Sequence, residues 1–527
     1  MRKRIWVVFY IFLALVVVVI VRILTLVLPS EFEGEEKRKF TGRRGEIFDR
    51  NNNVLAVSYR TFSLWLDNSG LSQYERKFLV ELMKDWLGLS YSEIAEKLRR
   101  ESKFVWLVRK IPENEAENLF RVTNGFVSKF DKRVLGVAEE YVRRYPLGEK
   151  ASGVVGAVNV DNDGISGFEY TFNDILLEKG GEGGKVVLTV DKYIQEITYL
   201  ELARSVKEFD ADLGIAVFAK KDGEILSIAD YPSFDPNNLS VIPFSSRAVG
   251  YIIEPGSVMK LASVSFALIN LSEIEKRVYE CDGLIGLYGH TIKEKPHGVV
   301  SLENIIAHSC NIGMLKVIRD FDEKSFYFFL RGLGFGEKTL VGLPGEERGI
   351  LRIFNEWSGV SKYMVGIGQE IGVTGMQLLK LGLILANDGM NIRPKLVKEI
   401  LLSDGSSKTM RYSEEFRVIP SEVARKVRKY MRASVEYGTS KMAEIEGLRV
   451  GGKTGTGQIY NPEGGYYKDK YNAVFLGIVP YDDPKIIGVV ILVNPKKLKQ
   501  GGLSAGPTFR NILEKIVAYS PNLVRTQ

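Results

Sequence analysis

The sequence predicts an α+β fold in three parts: a membrane-spanning N-terminal helix, a mixed α/β segment, and a larger C-terminal domain built on an antiparallel five-stranded sheet with helices on its faces. Three observations predict it. Residues 5–28 form one apolar run interrupted by a single charge, Arg22. Residues 141–190 are rich in glycine and run up to a strand-like KVVLTVD at 185–191. Beyond that point, β-branched runs bounded by turn signals alternate with helical stretches.

Arg2, Lys3 and Arg4 precede the apolar run, which exceeds the ~20 residues a bilayer span needs. Arg22 lies near its far end, where its head can snorkel to the interface. No small-x-small cleavage site follows, so an uncleaved anchor is expected rather than a signal peptide. The basic tail, residues 1–4, is expected in the cytoplasm, although Lys37, Arg38, Lys39, Arg43 and Arg44 on the other flank weaken that asymmetry. Residues 29–527 are then expected outside the cytoplasm, divided into a segment at 29–190 and a domain at 191–527.

RRGEIFDRNNNVLAVS, Arg43 to Ser58, places a turn at Asn51–Asn53 between two short extended segments. Residues 61–140 alternate amphipathic helical patterns, Glu75–Trp86 and Tyr91–Arg100, with polar turns. GGEGGK at 180–185 reads as a turn. It misses the phosphate-loop spacing because Lys179 occupies the first glycine position and Val186 stands where serine or threonine is required. GIAVFA, KDG and EILSIADY form a β-hairpin pattern. LRVGGKTGTGQIY, YNAVFLGIVP and KIIGVVILVN supply three further strands, the last two joined by YDDP, and an amphipathic helix is expected over Pro507–Tyr519.

With 527 residues, 45% hydrophobic and 26% charged, the chain is mostly globular and large enough for two or more domains. A net charge of +7 is mild for this length, and no aromatic-plus-basic signature points to nucleic acid. Two cysteines, Cys281 and Cys310, form no CxxC, and His290, His297 and His308 form no HExxH. A disulfide framework is therefore improbable, and a metal site has little support.

The chemistry begins at EPGSVMKLASVSFALINL, Glu254 to Leu271. Pro255-Gly256 marks a turn, Ser257 is an N-cap candidate, and the residues after it cover nearly every face of a helix with apolar groups. At about four turns it is short for a bilayer, so a buried core helix is expected. Lys260 lies one turn after Ser257 on the same face, with no acid between Ser257 and Ile269. Burial disfavours a charged lysine, and a lysine neutral near pH 7 serves as a base toward a hydroxyl. The helix N-terminus favours negative charge on that oxygen. Taken alone, the pattern more often means a lysine whose stem packs in the core while its head reaches water.

Two more motifs follow in order. Ser309-Cys310-Asn311 comes 52 residues after Ser257, and Lys453-Thr454-Gly455-Thr456 comes 144 residues after Ser309. Serine-x-x-lysine, serine-x-asparagine and lysine-threonine-glycine, in that order, resemble the signature of penicillin-binding proteins and serine β-lactamases. RGEIFDRNNNVLA and GISGFEYTFNDILLEKGGEGG, with Gly167 and Glu169, resemble the non-catalytic pedestal of class B penicillin-binding proteins. ADYPSFDPN, SSRAVGYIIEPGSVMK, YECDG, GLPGEERG, GIGQEIGVTGMQL, VEYGTS and YNAVFLGIVPYDDPK resemble that family's transpeptidase domain. Asn52, Ser246 and Gly457 depart from it, standing where glycine, asparagine and alanine are usual.

The resemblance implies a bitopic peptidoglycan D,D-transpeptidase: single-pass in the bacterial inner membrane, its elongated pedestal and penicillin-binding domain outside the cytoplasm. It would cross-link stem peptides of lipid II-derived glycan strands and be inhibited by β-lactams. It implies Ser257 as the acylated nucleophile, Lys260 as base, Ser309 as proton relay, and Asn311 holding the substrate amide. Lys453 would keep Lys260 neutral and attract a carboxylate that Thr454 and Thr456 also bind. Gly455 would let the substrate backbone approach. The N–H groups of Ser257 and Thr456 would form the oxyanion hole. No cofactor and no metal are implied. Cys310 fills a variable slot, His308 is structural, and the aromatics of NPEGGYYKDKY belong to a loop or border the groove.

EPGS, GLPGE and KTGT are most similar to the septal, FtsI-type branch, with the elongation branch and a sporulation relative as alternatives. The implied partners are a multi-spanning SEDS-family glycan polymerase (FtsW-like) and other division proteins. A D,D-carboxypeptidase or β-lactamase is disfavoured because no deacylating base is identifiable. A non-enzymatic scaffold is disfavoured by the intact motifs.

Overall fold

Serine and glutamate three residues apart open both predicted helices of the N-terminal part. In the computed structural model, which describes residues 42–99, 103–177, 181–410 and 416–524, Ser72 and Glu75 form a capping box on α1 (Gln73–Leu87) and Ser90 and Glu93 one on α2 (Tyr91–Leu98). Gly88, at φ 64°, ends α1 in the left-handed conformation. A third helix, α3 (Ala116–Phe130), follows. The apolar run at 5–28 lies outside the described residues, and among those described no helix is long and apolar enough to cross a membrane.

Strand β1 (Ile47–Phe48) and β2 (Val54–Asp67) flank the asparagine turn. Only β1 is short, since β2 runs on for 14 residues. Its far half lies between β3 (Phe104–Pro112) and β4 (Leu135–Arg144), and β5 (Lys185–Leu188) runs parallel to β1. Leu64 and Leu66 of β2 are buried with Leu79, Met83, Val122 and Phe126 of α1 and α3. Glu169 is fully buried between two arginines: Arg44 Nε reaches one carboxylate oxygen at 2.5 Å and Arg143 Nε the other at 2.7 Å. Desolvation would raise this carboxyl, yet Arg143 and Arg44 hold it below its ordinary value.

The later strands are β6 (Leu213–Lys220), β7 (Ile225–Tyr231), β8 (Tyr279–Cys281), β9 (Leu284–Leu287), β10 (His290–Lys293), β11 (Gly298–Val300), β12 (Val397–Leu401), β13 (Ser407–Lys408), β14 (Gly451–Tyr460), β15 (Tyr466–Val479) and β16 (Ile486–Val493). The helices used below are α4 (Lys192–Phe209), α5 (Lys260–Asn270), α6 (Asn311–Ile318), α7 (Gly375–Ala386), α8 (Ser421–Glu436) and α9 (Ala505–Tyr519). A boundary at 190/191 does not separate two sheets. Strand β12 pairs antiparallel with β5, Val397 opposite Leu188, and so extends the sheet of the N-terminal segment. The described residues form one compact unit.

The five expected strands assemble in the order β14-β15-β16-β6-β7, every pairing antiparallel. Their side chains alternate between faces. Ala216, Phe218, Phe475 and Val490 pack with Leu202 of α4 and Phe509 and Ile512 of α9. Val217, Leu476 and Val489 face the other way, into the core that holds Leu261 of α5, Leu378 of α7 and Val427 of α8. Helices therefore cover both faces.

Candidate active site

The register of the sheet decides which way each residue of KTGT points. Lys453, Leu476, Val489 and Val217 form one cross-strand row, and Thr454, Phe475, Val490 and Ala216 form the next. Lys453 therefore projects toward the α5 side, and Thr454 toward the α9 side. β14 is the sheet's edge strand, and Lys453 is fully buried on it.

Ser257 is not an N-cap. It lies in a 3-10 turn, Gly256–Met259, and α5 begins only at Lys260. Neither the turn nor the helix uses a side-chain cap, so the Ser257 hydroxyl is not consumed in capping. Gly256 has φ +54°, and a Cβ there would sit 2.6 Å from the Thr456 carbonyl oxygen and 2.9 Å from its nitrogen. Only glycine lets the serine turn lie this close to β14. Gly455 serves the same contact, since a Cβ there would meet the Pro255 carbonyl oxygen at 2.2 Å. Seating the serine turn is thus a nearer reason for Gly455 than approach of a substrate backbone.

Helix α5 is buried from Lys260 to Ala267, as expected of a core helix. Lys260 itself is fully buried, and its ammonium donates to the Ser309 carbonyl (2.5 Å), Asn311 Oδ1 (2.7 Å) and, at 3.5 Å, Ser309 Oγ. Desolvation lowers its pKa to about 8, against the opposing pull of Glu294. The amine is therefore mainly protonated at pH 7, with about a tenth neutral. Ser309 reaches it from a left-handed residue (φ 60°) in the turn before α6. Such a conformation is uncommon outside glycine and persists where the surroundings enforce it.

Lys453 differs. Among the described residues its ammonium has the Thr454 carbonyl (3.0 Å) and hydroxyl (3.5 Å) as acceptors. Burial first, and then the charge of Lys260, push its pKa well below the ordinary lysine value. The resemblance casts Lys453 as the charged member that keeps Lys260 neutral, and burial depresses both amines.

Thr456 is exposed and its hydroxyl accepts from Gly501 N–H (3.2 Å), while the Thr454 hydroxyl pairs with that of Thr439 (3.0 Å). Thr439 belongs to the VEYGTS stretch, whose occurrence was visible in the sequence although its place beside Thr454 was not. Of the NPEGGYYKDKY aromatics, Tyr466 opens β15, and its hydroxyl donates to Glu254 Oε1 (2.7 Å), three residues before Ser257. His308 stacks between His297 and Tyr437, consistent with a structural place. Cys310 is more than a filler: its sulfur caps α6, accepting from Gly313 N–H at 3.1 Å.

Residues 213–514 match the penicillin-binding protein transpeptidase domain, and residues 39–198 match the penicillin-binding protein dimerisation domain. The penicillin-binding protein PbpB of Mycolicibacterium smegmatis is 29% identical, the alignment covering 89% of this chain and 82% of that one. The peptidoglycan D,D-transpeptidase FtsI of Buchnera aphidicola is 26% identical over 96% of this chain and 93% of its own. The crystal structure of penicillin-binding protein 3 from Mycobacterium tuberculosis superposes with a TM-score of 0.73 at 27% identity, covering 92% of this chain and 98% of that one. With a dimerisation domain ahead of a transpeptidase domain, the chain belongs to the class B penicillin-binding proteins and is a serine-type peptidoglycan D,D-transpeptidase.

Proposed function

We propose that this transpeptidase cross-links stem peptides during septal wall synthesis, working outside the cytoplasm from a single N-terminal anchor at residues 5–28. The observation that carries the catalytic reading is the pair of buried lysines, Lys260 and Lys453, around the serine turn. Ser257 Oγ attacks the donor peptide carbonyl, and Lys260 takes its proton. The terminal carboxylate of the donor binds beside Lys453, Thr454 and Thr456. A carboxylate there favours the charged form of Lys453, and that charge drives Lys260 toward its neutral form. The base is thus completed by the substrate.

The tetrahedral oxyanion is held by the N–H groups of Ser257 and Thr456, which Gly256 and Gly455 bring together. Each such donor contributes ~10²–10³-fold in rate. Asn311 trades its contact with Lys260 for the substrate amide, and Ser309 relays a proton to the leaving amine. An acceptor amine then attacks the acyl-enzyme and releases Ser257. The septal assignment is supported by the EPGS, GLPGE and KTGT wording and by the FtsI relative. It implies a SEDS-type polymerase as partner, met by the anchor and pedestal.

Two experiments test this. Full-length protein in detergent, incubated with a fluorescent penicillin, should carry a stable covalent label that Ser257→Ala abolishes. Hydrolysis of the penicillin without label would indicate a β-lactamase instead. A fluorescent fusion in the native cell should gather at the division plane, and depletion should block division. Dispersed signal with loss of cell width control would point to the elongation branch.

A further inference from the structure

The chain's two cysteines, 29 positions apart in the sequence and in no recognisable motif, meet in the fold. Cys281 ends β8, Glu294 follows β10, His297 precedes β11 and Cys310 caps α6. Their ligand atoms all lie within 4.8 Å of one another. Glu294 Oε1 is 3.4 Å from Cys281 Sγ, 3.2 Å from Cys310 Sγ and 3.9 Å from His297 Nδ1, and Cys281 Sγ is 3.5 Å from His297 Nδ1. Both cysteines are free thiols and fully buried.

Zinc bonds of ~2.3 Å to sulfur and ~2.1 Å to nitrogen or oxygen give a tetrahedron with edges of ~3.4–3.8 Å. The four measured separations bracket that range. The competing account is a hydrogen-bond network in which Glu294 Oε1 is the shared acceptor. That oxygen already accepts the Ile312 N–H at 2.7 Å. Both thiols lie against its remaining lone pair, at 3.4 and 3.2 Å, and Cys281 Sγ is also 3.5 Å from His297 Nδ1. One cation at the centre satisfies all four groups.

The surrounding groups are those a thiolate–carboxylate site needs. Gly313 N–H donates to Cys310 Sγ at 3.1 Å, and Asn311 N–H donates to Glu294 Oε2 at 2.9 Å. The segment also lacks a sheet of its own. β9–β10 and β8–β11 are separate two-stranded ribbons, an arrangement of marginal stability without a staple.

We propose that Cys281, Glu294, His297 and Cys310 bind one zinc ion in a closed, structural site. The site positions the catalytic turn, because Cys310 lies between Ser309 and Asn311, the two residues that hold Lys260. Two thiolates, one imidazole and one carboxylate select zinc over magnesium or calcium, which prefer oxygen donors. All four ligands come from the protein, so the ion is not expected to meet substrate.

The test uses full-length protein purified without chelator. Elemental analysis should find about one zinc per chain. After chelation and reloading with cobalt(II), the protein should show sulfur-to-cobalt charge-transfer absorption together with visible bands of tetrahedral intensity. Cys281→Ser and His297→Ala should lose both. Should either variant fail to fold, the wild type still decides: its two thiols should resist alkylation when loaded and react after chelation. Penicillin labelling, measured on the same samples, should slow when the metal is removed. Absence of metal and of cobalt bands, equal thiol reactivity with and without chelator, or a Cys281–Cys310 disulfide in place of thiols would each overturn the proposal. Loss of penicillin labelling in fully zinc-loaded wild type would instead count against the catalytic reading alone.

Discussion

Two of the places where the molecule buries charge do so in opposite ways. In the N-terminal part, Glu169 is held between Arg44 and Arg143, so charges of both signs are present and hydrogen-bonded. In the C-terminal part, Lys260 and Lys453 are buried with like charge, and their acceptors are neutral oxygens. The first arrangement lowers a carboxyl and keeps it ionised. The second depresses two ammonium groups, so a proton can leave. Complementary burial fixes structure, whereas uncompensated burial creates a base. The two also titrate with opposite sign. Glu169 contributes stability above its unfolded value of 4.5, and that contribution is lost as pH falls through its lower folded value. Lys260 titrates at 10.5 when unfolded and about 8 when folded. The unfolded chain therefore binds more protons between those values, and stability rises with pH across that window.

The largest effect that would break this comparison is at the base. Lys260→Arg keeps the charge permanently and should slow Ser257 acylation ~10²–10⁴-fold while leaving the thermal melting transition in place. Next is the structural pair. Glu169→Ala leaves two arginines uncompensated and should cost ~3–5 kcal/mol in denaturant unfolding, with penicillin labelling retained in whatever fraction stays folded. Lys453→Met should slow acylation by carboxylate-bearing β-lactams ~10–100-fold, the weight of a charge-assisted contact of ~1.5–3 kcal/mol. The smallest is Tyr466→Phe, which removes one hydrogen bond to Glu254. It should cost ~1 kcal/mol, seen as a small loss in melting temperature and at most a severalfold slower acylation.

The candidate catalytic residues stand out because their spacing is itself a signature, and the five strands because β-branched runs and turns mark them. Other features depend on contacts that no local pattern carries. Strand β12 reads as an ordinary strand, and nothing in its sequence says that it crosses to pair with β5. Ser257 looked like an N-cap because serine before an apolar helix usually is one, but Gly256 and a 3-10 turn displace the helix start to Lys260. The depression of both lysine pKa values comes from burial among residues far away in sequence. The cysteine–histidine–glutamate cluster was missed for the same reason, its donors being spread over residues 281–310.

The rate at which a penicillin acylates Ser257, followed from pH 6 to pH 10, tests the central claim most directly. A buried lysine base near 8 predicts a rate that climbs about tenfold per pH unit well below that value and levels above it, with the climb absent in Lys260→Arg. A rate flat across the range in the wild type, or an unchanged climb in Lys260→Arg, would contradict the assignment of Lys260 as the base.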